Sequence, residues 1–133
     1  KHFAMRDVAA MIRSFHYAAF NPIVHKKVSD KAQVELLMYW MWQWYLYVSD
    51  VYLECYFKNV EGHSFISNNP QELDSLLDLY MFEKAIYEVD YELNNRPTWL
   101  AVAAKGIMQI VGRKIEIPQF SRNLDRGEYA KES

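Results

Sequence analysis

Leu36-Leu37-Met38-Tyr39-Trp40-Met41-Trp42-Gln43-Trp44-Tyr45-Leu46-Tyr47-Val48 is the stretch that decides the fold. Gln43 is its one polar break, and Asp50 and Glu54 follow within two turns. A bilayer span needs about 20 apolar residues, so the run is too short to cross a membrane. It reads instead as the middle of a long buried helix from about Asp30 to Asn59, with Ser29 or Asp30 as N-cap. From Val34 to Phe57 apolar residues go nearly all the way round. Such a helix is expected to have neighbours on several sides and to form the centre of the fold.

Three further helices flank it. The first is expected from about Met5 to Phe20, where Met5, Val8, Ile12, Phe15 and Ala19 make one apolar stripe. Asp7 suits its first turn, and Asn21-Pro22 is expected to end it. The polar segment Asn59 to Asn69, with Gly62, reads as a loop. Asn69 then caps a third helix, Pro70 takes its first position and Glu72 its first turn. That helix runs to about Leu93, and Leu79, Phe82, Ile86, Val89 and Leu93 are its expected core stripe. Asn94-Asn95-Arg96-Pro97 breaks it, and a fourth helix is expected from about Thr98, near its cap, to Val111, with Gly112 as its stop. Residues 113–133 lack helical periodicity and read as a polar tail, within which Lys114 to Pro118 fits a short extended segment. The reading is one all-α domain over residues 1–112 plus that tail.

Composition agrees. Half of the 133 residues (51%) are hydrophobic, enough for a real core, while four glycines and four prolines are too few for many short strands and turns. A net charge of −2 with no basic patch argues against a nucleic-acid partner. The single cysteine, Cys55, excludes an internal disulfide and reads as a small buried hydrophobe. No signal peptide is visible, so a cytoplasmic location is expected. The first residue is Lys1 rather than methionine, as in a piece of a longer protein.

The chain lacks the usual machinery of an independent enzyme. Phosphoryl transfer needs a phosphate cradle, a metal-holding acid and a group that orients the nucleophile. Gly62, Gly106, Gly112 and Gly127 are isolated, and no GxxxxGK, His-x-Asp or Asp-Phe-Gly sequence occurs. His2, His16, His25 and His63 lack metal-ligand spacing.

One stretch does carry chemistry. Glu83 to Trp99 reads EKAIYEVDYELNNRPTW. Glu83, Tyr87 and Tyr91 fall at steps of four on one helix face, with Glu88 and Glu92 beside them. Asn94, Asn95, Arg96 and Trp99 gather at the helix end. Carboxylates, amides and a guanidinium pair with sugar hydroxyls, and an aromatic plane packs on a pyranose face. From composition and spacing alone, a solvated helix face with tyrosines packed into the core is the favoured explanation of the same pattern.

These residues also resemble a family. Glu83-Lys84-Ala85, Tyr87-Glu88, Tyr91-Glu92, Asn95-Arg96-Pro97 and Trp99 are similar to the C-terminal signature of maltokinases, including those fused to trehalose synthase. Arg6 to Ala19 (RDVAAMIRSFHYAA) resembles a second family segment, and Trp44, Tyr52-Leu53 and Tyr56 match its central helix more loosely. The resemblance covers about Arg6 to Val111 in family order. It implies the helical C-terminal subdomain of a protein-kinase-like, aminoglycoside-phosphotransferase-like fold, without the nucleotide-binding lobe and its two catalytic loops. The complete enzyme would use ATP and Mg²⁺ to phosphorylate maltose at its anomeric hydroxyl, feeding α-glucan synthesis. This chain alone is then expected to be inactive. Tyr91, Glu92, Asn95, Arg96 and Trp99, with Tyr87 and Glu88, are the residues expected to touch maltose or a related α-glucoside. Further expected partners are the missing kinase lobe, a trehalose synthase domain, or a second copy held through the bare lobe-facing surface. At His16 the family pattern has an acid. The change bears on sugar affinity if that acid shapes the cleft, or is a helix-surface substitution. Arg13, on the same helix, reads equally as a structural pairing residue. The rival reading for the whole chain is a helical scaffold or docking module without a ligand.

Overall fold

Asp30 and Asn69 start the two longest helices in the same way. Each cap residue is extended, and its side chain accepts a hydrogen bond from the backbone N–H two residues on, at Ala32 and Gln71, both at 3.0 Å. The computed structural model describes residues 4–25 and 30–112. These form α1 (Ala4–His25), α2 (Lys31–Val60), α3 (Pro70–Asn95), a 3₁₀ turn (Pro97–Trp99) and α4 (Leu100–Gly112). No strand occurs among the described residues, so they are all-α. None of these helices is long and apolar enough to cross a membrane. Ser29, His2 and the whole expected tail from Arg113 to Ser133 lie outside the described residues.

The centre of the fold is α1, not α2. α1 packs against α2 on one side and α3 on the other, and α4 lies on α3 and the edge of α1. Val8 and Ala9 are fully buried, and Met5, Ile12, Ala19 and Phe20 nearly so. From α2 the core receives Met41, Tyr45 and Leu53. The opposite face of α2 keeps Leu36, Trp40, Trp44, Tyr47 and Val51 in solvent, each at least 42% exposed. Apolarity all round a helix therefore measures how many neighbours it can take. It does not say how many it has.

The third helix differs from expectation in the same manner. Leu79, Phe82, Ile86 and Leu93 are at least 40% exposed, and Val89 is half-buried. The buried face of α3 carries Leu73, Leu77, Ala85, Glu88 and Glu92. The heptad spacing of the apolar stripe is real, but it points away from α1. Two carboxylates take the inward side because cations answer them, a buried one for Glu88 and a half-exposed one for Glu92, as described below.

Three local corrections follow. α1 runs through Pro22 to His25 instead of stopping at Phe20. Proline removes one helical hydrogen bond, and the burial of Ala19 and Phe20 just before it holds the turn in place. Thr98 does not cap the fourth helix, because Pro97 opens a 3₁₀ turn first, closed by Trp99 N–H donating to the Arg96 carbonyl at 2.8 Å. Cys55 is exposed rather than a buried hydrophobe. The expected loop holds, and Gly62 has the positive φ (75°) that a type II turn demands, with His63 N–H donating to the Val60 carbonyl at 3.1 Å.

Candidate functional site

Glu88 faces α1 and meets Arg13. The Arg13 guanidinium is almost wholly buried and donates through both Nε and Nη2 to Glu88 Oε2, at 2.9 and 2.7 Å. Arg13 is thus the pairing residue that one reading of its helix foresaw. The same guanidinium lies against Gly106 of α4, where an added Cβ would stand only 2.4 to 2.8 Å from its Nη2, Nη1 and Cζ atoms. One cation therefore ties three helices together.

One turn further on, Glu92 is buried and Arg96 closes the end of α3 over it. Arg96 donates from Nε to Oε2 at 3.0 Å and from Nη2 to Oε1 at 2.6 Å, while its backbone N–H returns to the Glu92 carbonyl. A cation suits this end of a helix dipole. Hydrogen bonding to Glu92 raises the Arg96 pKa above its usual range. Each Glu92 oxygen thus accepts one bond from Arg96, so Glu92 positions the guanidinium while it lines the cleft.

Arg96 is itself held between rings. Its guanidinium carbon lies 5.4 Å from the Tyr91 ring centre and 5.2 Å from that of Trp99. Trp99 in turn stacks on Tyr17 of α1, with centroids 5.8 Å apart and planes 11° off parallel. Tyr87 and Tyr91 stack on the exposed side of α3 at 6.4 Å.

These groups border a cleft of about 390 Å³ between α1 and α3, within the range of ~300–1,000 Å³ common for small-molecule sites. Tyr87, Glu88, Tyr91, Glu92 and Arg96 line it, together with Arg13, Ser14, Tyr17 and Lys84. Asn95 and Trp99 do not. Asn95 is exposed and its Nδ2 donates back to the Tyr91 carbonyl at 2.8 Å, while Trp99 stands behind Tyr17. Glu83, at the start of the signature, pairs with Arg6 at 2.7 Å on the surface. The lining residues that sequence reasoning missed as contacts are Arg13, Ser14, Tyr17 and Lys84. Their only signal was membership of the two motifs.

Tyr17 carries the strongest electrostatic signature in the cleft. Burial first, then the charges of Glu88 and Glu92, hold its hydroxyl un-ionised well above the ordinary value of 10.0. The hydroxyl lies close enough to Glu92 to feel it without reaching full hydrogen-bond geometry. A raised folded-state pKa favours the neutral form, so the stability it confers is complete below the unfolded value. It is lost as pH rises beyond 10.0, because the unfolded chain then ionises first. Urea unfolding at about pH 9 and about pH 11 is expected to show a fall in stability that Tyr17→Phe reduces. An identical fall in the variant would assign the alkaline loss to other groups.

His16 is buried among Phe20, Tyr45 and Tyr17, with centroids at 4.7, 5.4 and 6.4 Å. It is not a helix-surface substitution. Among the described residues no three His, Cys, Asp or Glu side chains converge where they could hold a metal ion. No family model matches the chain, and no solved structure matches it.

Proposed function

We propose that this chain is the helical C-terminal part of an ATP-dependent maltokinase, that it supplies the sugar-side wall of the cleft, and that it is inactive alone. The observation that carries the reading is convergence. Two sequence segments some seventy residues apart, each resembling a maltokinase motif, meet across one cleft: Arg13, Ser14 and Tyr17 from the first, Lys84 to Arg96 from the second. The cleft offers what a maltose unit needs. Tyr87 and Tyr91 give exposed ring surface, and Arg96, Lys84, Ser14 and both phenols give donors and acceptors around it. Among the described residues Glu88 Oε1 is not engaged by Arg13, whose two bonds both fall on Oε2. ATP and Mg²⁺ would be held by the kinase lobe and loops outside this chain, where the catalytic base would also lie.

The exposed apolar faces of α2 and α3 fit the same reading. Burying a large apolar side chain gives about 1.5–3 kcal/mol, so two such faces have much to gain from being covered. In a complete kinase the missing lobe would cover at least one. The same faces favour the second reading, a scaffold or docking module, with a trehalose synthase domain as a candidate partner.

Calorimetric titration separates the two. Saturable maltose binding is expected, without binding of ATP–Mg²⁺. Tyr91→Ala and Arg96→Lys are expected to weaken it about tenfold or more, a loss of about 1.4 kcal/mol, with an unchanged helical CD spectrum. Lysine keeps a charge for Glu92 but loses the two-pronged fit. An absence of maltose binding, together with a mass that rises with concentration, would favour the docking reading. Binding of ATP would sink the maltokinase assignment.

A further inference from the structure

Tyr80, Tyr87 and Tyr91 fall at steps of seven and four, which places them on one line of α3. At 1.5 Å per residue that line runs about 16 Å, longer than two pyranose rings joined by one glycosidic link. It also continues past the cleft described above. A second cleft of about 340 Å³ adjoins the first along the α1–α3 seam, and Lys84 and Tyr87 line both. Its remaining polar walls are Arg6 and Asp7 from α1 and Glu83 from α3, with Tyr80 as its further ring.

The chemistry of the first cleft is therefore repeated in the second. Tyr80 offers the part of its ring that the core leaves free, Asp7 offers a carboxylate, and the Arg6–Glu83 ion pair, half in solvent, offers a guanidinium and a carboxylate together. Lys84 stands at the junction, its Nζ 4.9 Å from the Tyr87 ring centre, within reach of a ligand in either half. Arg6 and Lys84 balance Asp7 and Glu83, so the second cleft attracts neither polyanions nor polycations. Such a wall selects a neutral polymer rich in hydroxyls that presents a ring face at each unit.

We infer that the two clefts form one groove for a linear α-glucan oligosaccharide longer than maltose, running along α3 from the Arg96 end to the Arg6 end. The inference rests on the sugar reading above and adds chain length as the preferred feature of the substrate. It also separates the groove from the bare apolar stripe of α3. Leu79, Phe82 and Ile86 lie on another side of that helix and can be covered while the groove stays open.

Titration of the 133-residue chain with maltose, maltotriose and maltotetraose tests it. The expected result is a Kd that falls with length, about tenfold from maltose to maltotetraose. Tyr80→Ala should bring the ratio of the two affinities close to one. Because the Tyr80 ring also packs on the core, Glu83→Ala, at a half-exposed position, serves as a second variant and should lower the same ratio. Equal Kd values for all three sugars would overturn the extended groove while leaving the maltose site intact. Length dependence that survives both substitutions would overturn it too, since the added units would then lie elsewhere. Failure of every sugar to bind would overturn the sugar reading itself.

Discussion

Replacing Glu88 by alanine is expected to lower the stability of the chain by about 3–5 kcal/mol, the usual consequence of stranding a buried charge. Arg13 is 1% exposed and both of its bonds to α3 end on one Glu88 oxygen. Without that carboxylate the guanidinium would have to stay desolvated or pull out and open the α1–α3 seam. A domain of this size has about 5–15 kcal/mol in all, so the variant is expected to be marginal at best. Urea unfolding followed by far-UV circular dichroism measures the effect. Glu88→Gln, which keeps an acceptor and loses the charge, should fall between. Replacing both partners, as Arg13→Met with Glu88→Leu, should restore much of the loss, because an apolar pair needs no desolvation of charge. A loss below about 1 kcal/mol in Glu88→Ala would mean that water reaches Arg13 and that the pair behaves as a surface one.

The second large effect is expected at Gly106. Its φ is ordinary, so an alanine fits the helix backbone and should even favour it slightly. Space is the obstacle. The new methyl would stand 2.4 Å from Arg13 Nη2, far inside contact distance. A flexible side-chain end often yields to such a clash at little cost. This one is buried and fixed by Glu88, so moving it strains the ion pair. Overpacking of this kind costs about 1–3 kcal/mol. The cause can be isolated by coupling. In an Arg13→Met, Glu88→Leu background the guanidinium is gone, and Gly106→Ala should become nearly neutral. A penalty that persists unchanged there would place the clash with other atoms of α1 or α3.

Much of this architecture could be read from the residues. Asp30, Asn69 and Pro70 announce their helices because caps and first-turn prolines act locally, and the stripe from Met5 to Ala19 is buried as its spacing demands. What spacing cannot supply is direction. α3 has an apolar line on one face and Leu73, Leu77 and Ala85 on the other, and the residue that decides which turns inward is Arg13, far away in sequence. Glu88 goes in because a cation on α1 waits for it, and Glu92 goes in beneath the arginine that ends its own helix. The candidate site shows the same division. Tyr87, Glu88, Tyr91, Glu92 and Arg96 were visible as a helix face, and they do meet at one cleft. That Trp99 supports Tyr17 instead of lining the cleft depends on a tertiary contact, whereas the Glu92–Arg96 bond is an i,i+4 pair that spacing alone permits. Gly106 carried no signal, since an isolated glycine in a helix looks the same whether or not a guanidinium presses on it.

The tryptophans of α2 also have a spectroscopic meaning. Trp40 and Trp44 are 61% and 45% exposed, Trp42 is partly buried beside Tyr45, and the fourth indole, Trp99, sits between a guanidinium and a phenol. Two of the four indoles are thus already wet in the folded chain. Their emission will move little when the helices melt and will shift to the blue when a partner covers α2. Fluorescence is therefore a reporter of association for this protein, and dichroism a reporter of unfolding. A small fluorescence amplitude on melting would reflect where its chromophores sit, whereas a difference in midpoint between the two probes would mark a departure from two-state unfolding.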